Sequence, residues 1–178
     1  MATRLPLPAA GPPESLQELD RTCRQIVREL RNRPGYGFLE EETLAARLRA
    51  RVSQAWAEGR TARAGLREQV LRAAKSVYAE ALYQGCRSSG APEQNRAYEE
   101  LGHFLYRVAF HYVSTRGFPA GLAEECAQEA LLQIHRHIRN VEQPGWFLHY
   151  AIRTVTRECS RAMQRAAERG GDAEPPVE

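Results

Sequence analysis

The sequence predicts an all-α protein. Leu, Ala, Arg and Glu dominate its 178 residues and β-branched residues are few, a composition that suits helices better than strands. Apolar residues recur at spacings of three and four through segment after segment, the mark of one-sided helices. Glycine and proline collect in short runs between those segments, where they end helices and start turns. The length allows one domain, or two small helical ones with a shared core.

Residues 1–14 hold Pro6, Pro8, Pro12 and Pro13 and read as a disordered tail. Ser15 with Glu18 makes a capping box, after which Leu16, Leu19, Cys23, Ile26, Val27 and Leu30 form one helical stripe. Asn32-Arg33-Pro34-Gly35 stops that helix, because the residue before a proline avoids helical geometry. A second helix carries Leu44, Leu48, Val52, Ala55 and Trp56 and is expected to stop at Gly59. A third, from about residue 62 to 83, offers Leu66, Val70, Ala73, Val77 and Ala81. Gly85 and the run Arg87 to Pro92 read as a loop or linker. The segment 15–90 is thus an N-terminal helical segment whose role the residues do not disclose.

The helix expected from about Gln94 to Thr115 has a main stripe of Tyr98, Leu101, Phe104, Leu105, Val108, Ala109 and Tyr112. Tyr106, Phe110 and Val113 add a second. A helix apolar nearly all round is central to its domain. After the turn Arg116 to Gly121, Leu122, Cys126, Ala130, Ile134 and Ile138 recur at every fourth place. Glu124, Glu125 and Glu129 make the first two turns of this helix acidic, which suits the positive end of its dipole. The loop Arg139 to Gly145 leads to a last helix with Phe147, Leu148, Ala151, Ile152, Val155, Cys159 and Met163 on one face. Arg153, Arg157, Arg161 and Arg165 follow at every fourth residue, two places from that stripe. Two residues turn a helix by about 200°, so the arginines form a ridge facing away from the core. Residues 168–178 are polar, broken by proline, and read as a second disordered tail.

Net charge is only +3, but every basic residue except Lys75 is arginine. Arginine's planar fork fits phosphates and base edges better than an ammonium does, although a genome rich in G and C gives the same bias without function. The ridge has few acids interleaved, Glu158 being the main exception. Cys23, Cys86, Cys126 and Cys159 lie far apart on or beside apolar faces and read as buried hydrophobes in a reducing compartment. With no long apolar run and no leader ahead of the body, a cytoplasmic protein without a membrane partner is expected. No phosphate-binding glycine loop, nucleophile with adjacent base, or isolated acid pair suggests an enzyme, and no cofactor is implied. His135 and His137 point about 200° apart on a helix and cannot share a metal ion.

The stretches Ala123 to His135 and Trp146 to Arg161 resemble region 2 of a bacterial RNA polymerase sigma factor of the sigma-70 family. The likeness is nearest to the compact extracytoplasmic-function type. Ala123, Glu124, Gln128, Glu129, Leu132, Leu148 and Arg161 agree with the family pattern. Glu125 stands for the usual Asp, Phe147 for Trp, Thr154 for Asn and Glu158 for Asp. The preceding Tyr98 to Val113 is similar to the first helix of that region, so residues 91–167 are expected to form a region 2-like domain.

The resemblance implies a transcription initiation factor. Glu125, Gln128 and Glu129 would dock on the clamp helices of the largest subunit of the RNA polymerase core. The loop with Asn140 would receive a base from the non-template strand of the promoter −10 element. Trp146 and Tyr150 are the stacking candidates, Phe147 is better read as core, and Arg153, Arg157 and Arg161 would meet DNA phosphates. Each assignment has a plainer counterpart: a solvated acidic face, a helix connection, core aromatics and a solubilising ridge. Region 4, which reads the −35 element in complete members, is not expected, because the chain ends shortly after the basic helix. Three roles remain open: action with a second protein supplying region 4, recognition through the −10 element alone, or a non-initiating regulatory module. That module would bind polymerase or another sigma or anti-sigma factor. A helical repressor is disfavoured, since no helix-turn-helix with its short glycine turn is found.

Overall fold

The computed structural model describes residues 16–60 and 65–171, with side chains as far as Glu168. Both proposed tail segments up to Ser15 and beyond 171 lie outside the described residues, as does the Ser15 cap. The described residues form six helices: α1 (Leu16–Arg31), α2 (Glu41–Ala57), α3 (Leu66–Arg87), α4 (Ala91–Ser114), α5 (Ala120–His137) and α6 (Phe147–Gly171). Two short 3-10 turns, Ile138–Asn140 and Pro144–Trp146, bridge α5 and α6. Among the described residues there is no strand. The chain divides into two compact units between Tyr78 and Ala79, inside α3.

In the first unit α1 packs against α2. Leu19, Cys23, Ile26, Val27 and Leu30 of α1 are buried, as are Leu44, Leu48 and Val52 of α2. This is the three-and-four spacing of the sequence expressed as a seam, each large apolar side chain contributing about 1.5–3 kcal/mol by leaving water. Leu16 sits one turn too early to join it and is exposed. Phe38, between the helices, is also buried; its amide donates to the Tyr78 hydroxyl at 3.2 Å.

The second unit is built on α4, which packs on both α5 and α6, while α5 packs on α6. Leu101, Leu105, Ala109 and Val113 supply the α4 side of the core, and Phe147, Ala151, Val155 and Cys159 the α6 side. The buried face of α5 is mostly small: Ala123, Cys126, Ala127 and Ala130, with Ile134 closing the far end. Small residues on this face let α5 pack against both α4 and α6. Gly117, at φ +78, ends α4. The Phe118 amide then reaches back to the Val113 carbonyl at 3.1 Å, a closure that needs a residue free to adopt positive φ.

Three features differ from the sequence expectation. The loop expected from Gly85 to Pro92 shrinks to residues 88–90, because α3 runs on through a buried Gly85 and α4 starts at Ala91. Pro92 is no obstacle there, since the first turn of a helix has no internal partner for its amides. The last helix also continues to Gly171, past the expected start of the C-terminal tail, through the strong helix formers Arg165, Ala166, Ala167 and Glu168. Finally, Ile152 lies at the edge of the α6 stripe and is partly exposed, while Thr154 is buried. Thr154 satisfies its hydroxyl on the Tyr150 carbonyl at 3.0 Å, within its own helix.

The last turns of α3 belong to this second unit. Tyr83 is buried, with its ring edge-on to Phe147 at 5.5 Å and its hydroxyl facing the Val141 carbonyl at 3.5 Å. Arg87 donates to the same hydroxyl at 3.0 Å. These contacts brace the connection between α5 and α6 from below.

Candidate functional site

Two surfaces of the second unit carry the residues singled out by sequence. On α5, Glu125, Gln128 and Glu129 are all exposed and share one helix face by their spacing. Neighbours on the same helix hold them lightly. Gln128 donates to Glu124 at 3.5 Å, and Glu129 accepts from Gln133 at 3.0 Å. Beside this face lies a depression of about 410 Å³ between α4 and α5, lined by Gly102, Tyr106, Glu124, Ala127, Gln128 and Leu131. Gly102 leaves open space there: a methyl group at its Cα would meet only Leu131 Cδ2, at 3.9 Å. Tyr106 and Leu132 add exposed apolar surface nearby. Periodicity puts Tyr106 on a second apolar stripe of α4, whereas its position beside Gln128 comes from the packing of α4 on α5.

The second surface is the start of α6. The turn Pro144–Trp146 is closed by the Trp146 amide donating to the Gln143 carbonyl at 2.9 Å. This turn throws successive aromatic side chains in opposite directions. Phe147 is fully buried, whereas Trp146 is 62% exposed, which separates core from candidate stacking residue as the sequence proposed. Tyr150 is half-buried one turn on. Trp146, His149, Tyr150, Arg153, Thr154 and Arg157 line one open depression of about 480 Å³. His149 stands edge-on to the Trp146 ring at 5.7 Å; its position three residues after Trp146 was the available signal, and sequence reasoning passed over it. Asn140 is exposed at the end of the preceding turn, and neither it nor Arg161 lines this depression.

Arg153, Arg157 and Arg161 are exposed, so the ridge stands clear of the core. It is not uniform. Glu158, expected as an acid interleaved in the solvated ridge, is only 5% exposed. It lies one residue before Cys159 and three after Val155, which places it on the shoulder of the buried stripe. Its carboxylate accepts from Arg161 at 3.0 Å and faces Arg157 Nε at 3.6 Å. Of these three arginines, two are tethered from beneath and one, Arg153, has no ion pair among the described residues.

The cysteines carry no visible chemistry. Burial pushes the Cys159 thiol up to about 12 and raises that of Cys126, so neither is a thiolate near neutral pH. His135 shares a hydrogen bond with the Tyr98 hydroxyl at 3.0 Å. Among the described residues no three His, Cys, Asp or Glu side chains could hold a metal ion. No described helix is long and apolar enough to cross a membrane.

Residues 97–169 match the family model described as Sigma-70 region 2. No curated protein and no solved structure matched the chain. The matched segment takes in most of α4, all of α5 and nearly all of α6, the three mutually packed helices that bear both surfaces. This part of the chain thus carries a helical domain similar to region 2 of the sigma-70 family.

Proposed function

We propose that the domain works as a sigma-type initiation factor, binding the RNA polymerase core through α5 and the promoter −10 element through α6. The observation that carries this reading is the pairing of two unlike surfaces on one trio of mutually packed helices. One is an exposed carboxylate-and-amide face, Glu125, Gln128 and Glu129; the other an open depression where Trp146 and Tyr150 meet Arg153 and Arg157. The first has the sign to steer onto a positively charged partner such as the clamp helices of the largest subunit, rim charges setting approach more than grip. The second combines what single-stranded DNA requires, an aromatic platform for a base and guanidinium groups for phosphates. Asn140, at the mouth of the connection, is assigned to the base received from the non-template strand. Arg161 is assigned to phosphates further along the helix.

Docking on polymerase is tested by the double substitution Gln128→Ala with Glu129→Arg. The expected result is loss of association with purified core polymerase at unchanged helix content. Wild-type pull-down by that variant would remove the clamp-docking assignment. DNA recognition is tested by titrating the complex of protein and core with a non-template −10 oligonucleotide across a salt series. Three to four neutralised phosphates give a log–log slope of roughly −2 to −3 on a single strand. If polymerase binds but Arg157→Ala and Trp146→Ala leave both affinity and slope untouched, the domain is a non-initiating polymerase-binding module.

A further inference from the structure

The arginines Arg153 and Arg157 line not one depression but two. On the side away from Trp146 they border a second hollow, of about 310 Å³, completed by Thr156 and Ser160 of α6 and Tyr112 of α4. The chemistry of the two hollows differs. The first is lined by an indole, an imidazole and a phenol ring. The second presents three hydroxyl groups beside the two guanidinium groups and has no carboxylate in its lining. A third guanidinium adjoins it: Arg116 lies over the Tyr112 ring, its central carbon 3.7 Å from the ring centre. Arg116 is held there by donating to the Tyr112 carbonyl at 2.9 Å.

We propose that this second hollow is a phosphodiester-binding site. A single DNA strand whose base occupies the Trp146 depression would carry its backbone over the arginine ridge and onto α4. The inference rests on the DNA-binding reading and adds Tyr112, Arg116 and Ser160 to the surface. Arg, Ser, Thr and Tyr side chains are among the groups that commonly contact nucleic-acid phosphates, whereas stacking requires an open π-face. The Tyr112 face is already taken by Arg116, so a base has no platform here. Thr156 and Ser160 turn their hydroxyl protons onto carbonyls of α6, at 2.9 Å to Ile152 and 3.0 Å to Thr156. Tyr112 and Ser160 share a hydrogen bond of 3.0 Å, in which the phenol is then the donor. A phosphate oxygen entering the hollow would accept from Tyr112 or Ser160 in exchange for the contact that hydroxyl now makes. The ridge is then a divide, with bases on one slope and backbone on the other.

The experiment uses the full chain, alone at low salt and in complex with core polymerase. The probe is a fluorescent single-stranded oligonucleotide in three forms: unmodified, with one abasic residue, or with neutral methylphosphonate linkages. The variants are Arg116→Ala, Tyr112→Phe, which keeps the ring, and Ser160→Ala; thermal unfolding checks that each remains folded. Arg116→Ala is expected to reduce the salt slope by about 0.7. Tyr112→Phe and Ser160→Ala should each weaken binding roughly two- to ten-fold. These losses should persist on the abasic strand and vanish on the methylphosphonate at the matching linkage. Trp146→Ala should show the reverse dependence. If Arg157→Ala and Trp146→Ala weaken binding while the three new variants do not, this inference falls and the DNA reading stands. No oligonucleotide binding in either form of the protein overturns both. Losses that survive on methylphosphonate strands would also overturn it, since they could not come from phosphate charge.

Discussion

Replacing Arg161 and replacing Arg153 look like the same experiment, yet the structure predicts different outcomes. Arg153 stands in solvent without an ion pair among the described residues, so Arg153→Ala should change folding stability by no more than about 0.5 kcal/mol. Among the described residues, Arg161 supplies the one hydrogen bond to the buried Glu158 carboxylate, at 3.0 Å. Arg157, at 3.6 Å, is too far to replace it. Removing Arg161 therefore leaves a carboxylate whose side chain is only 7% exposed without a donor. An unsatisfied buried polar group costs about 1–3 kcal/mol. A fully buried broken pair reaches about 3–5 kcal/mol, but the arginine end here is over half exposed, so the lower range applies. About 2 kcal/mol in a chain of this size lowers Tm by roughly 4–8 °C. Urea and thermal unfolding followed by circular dichroism would measure it. Glu158→Gln removes the charge while keeping the shape, so Arg161→Ala should cost much less in that background. Equal stability of Arg153→Ala and Arg161→Ala, or no relief from Glu158→Gln, would refute the burial argument. The difference also bears on the proposed function: any DNA binding lost in Arg161→Ala would mix the proposed contact with a folding defect, whereas a loss in Arg153→Ala would report the contact alone.

Two further outcomes follow from the same geometry. Trp146→Ala should leave stability nearly unchanged and weaken oligonucleotide binding by a constant factor at every salt concentration, because stacking releases no counterions. Phe147→Ala, one residue on, should cost about 3–5 kcal/mol of stability, and equal unfolding midpoints for the two variants would contradict their opposite burial. Stability should also fall in alkali. Burial raises the thiols of Cys23 to about 11 and of Cys86 and Cys159 to about 12, from 9.0. A group with a raised folded pKa contributes fully below its unfolded value and loses that contribution as pH climbs to the folded one. Urea midpoints should therefore hold below about pH 9 and drop between about 9 and 12. A midpoint unchanged across that window would mean the thiols are not protected in the folded state.

How far the sequence could be read depended on whether a feature belongs to one helix or to several. Periodicity placed Leu19, Ile26, Leu101, Ile134, Phe147 and Val155 inside, because a stripe is a property of a single helix. It also put the arginines outside. Glu158 escaped the same logic: at the shoulder of a stripe, a charge can turn inward when a neighbouring arginine reaches over to meet it, and spacing alone does not reveal the reach. The Gly85 to Pro92 stretch misled because glycine and proline are breakers only in a helix interior; Pro92 falls in a first turn, where it costs nothing. Of the candidate site, Trp146, Tyr150, Arg153 and Arg157 come together in one depression. The hollow on the other side of the ridge was invisible, since Tyr112 lies 48 positions before Ser160 and only the packing of α4 on α6 joins them.

Gly102 has a consequence of its own. Within the middle of a helix, glycine forgoes about 0.8–1.0 kcal/mol relative to alanine, and here no crowding requires it, since the nearest atom to an added methyl is at ordinary contact distance. The helix is therefore running below its attainable stability at the floor of the hollow beside Gln128. An alanine would be expected to firm α4 and make that floor shallower at a stroke. Seen this way, the hollow beside the acidic face is an unspent reserve: a place where thermal robustness and room for a partner's side chain compete for the same few cubic ångströms.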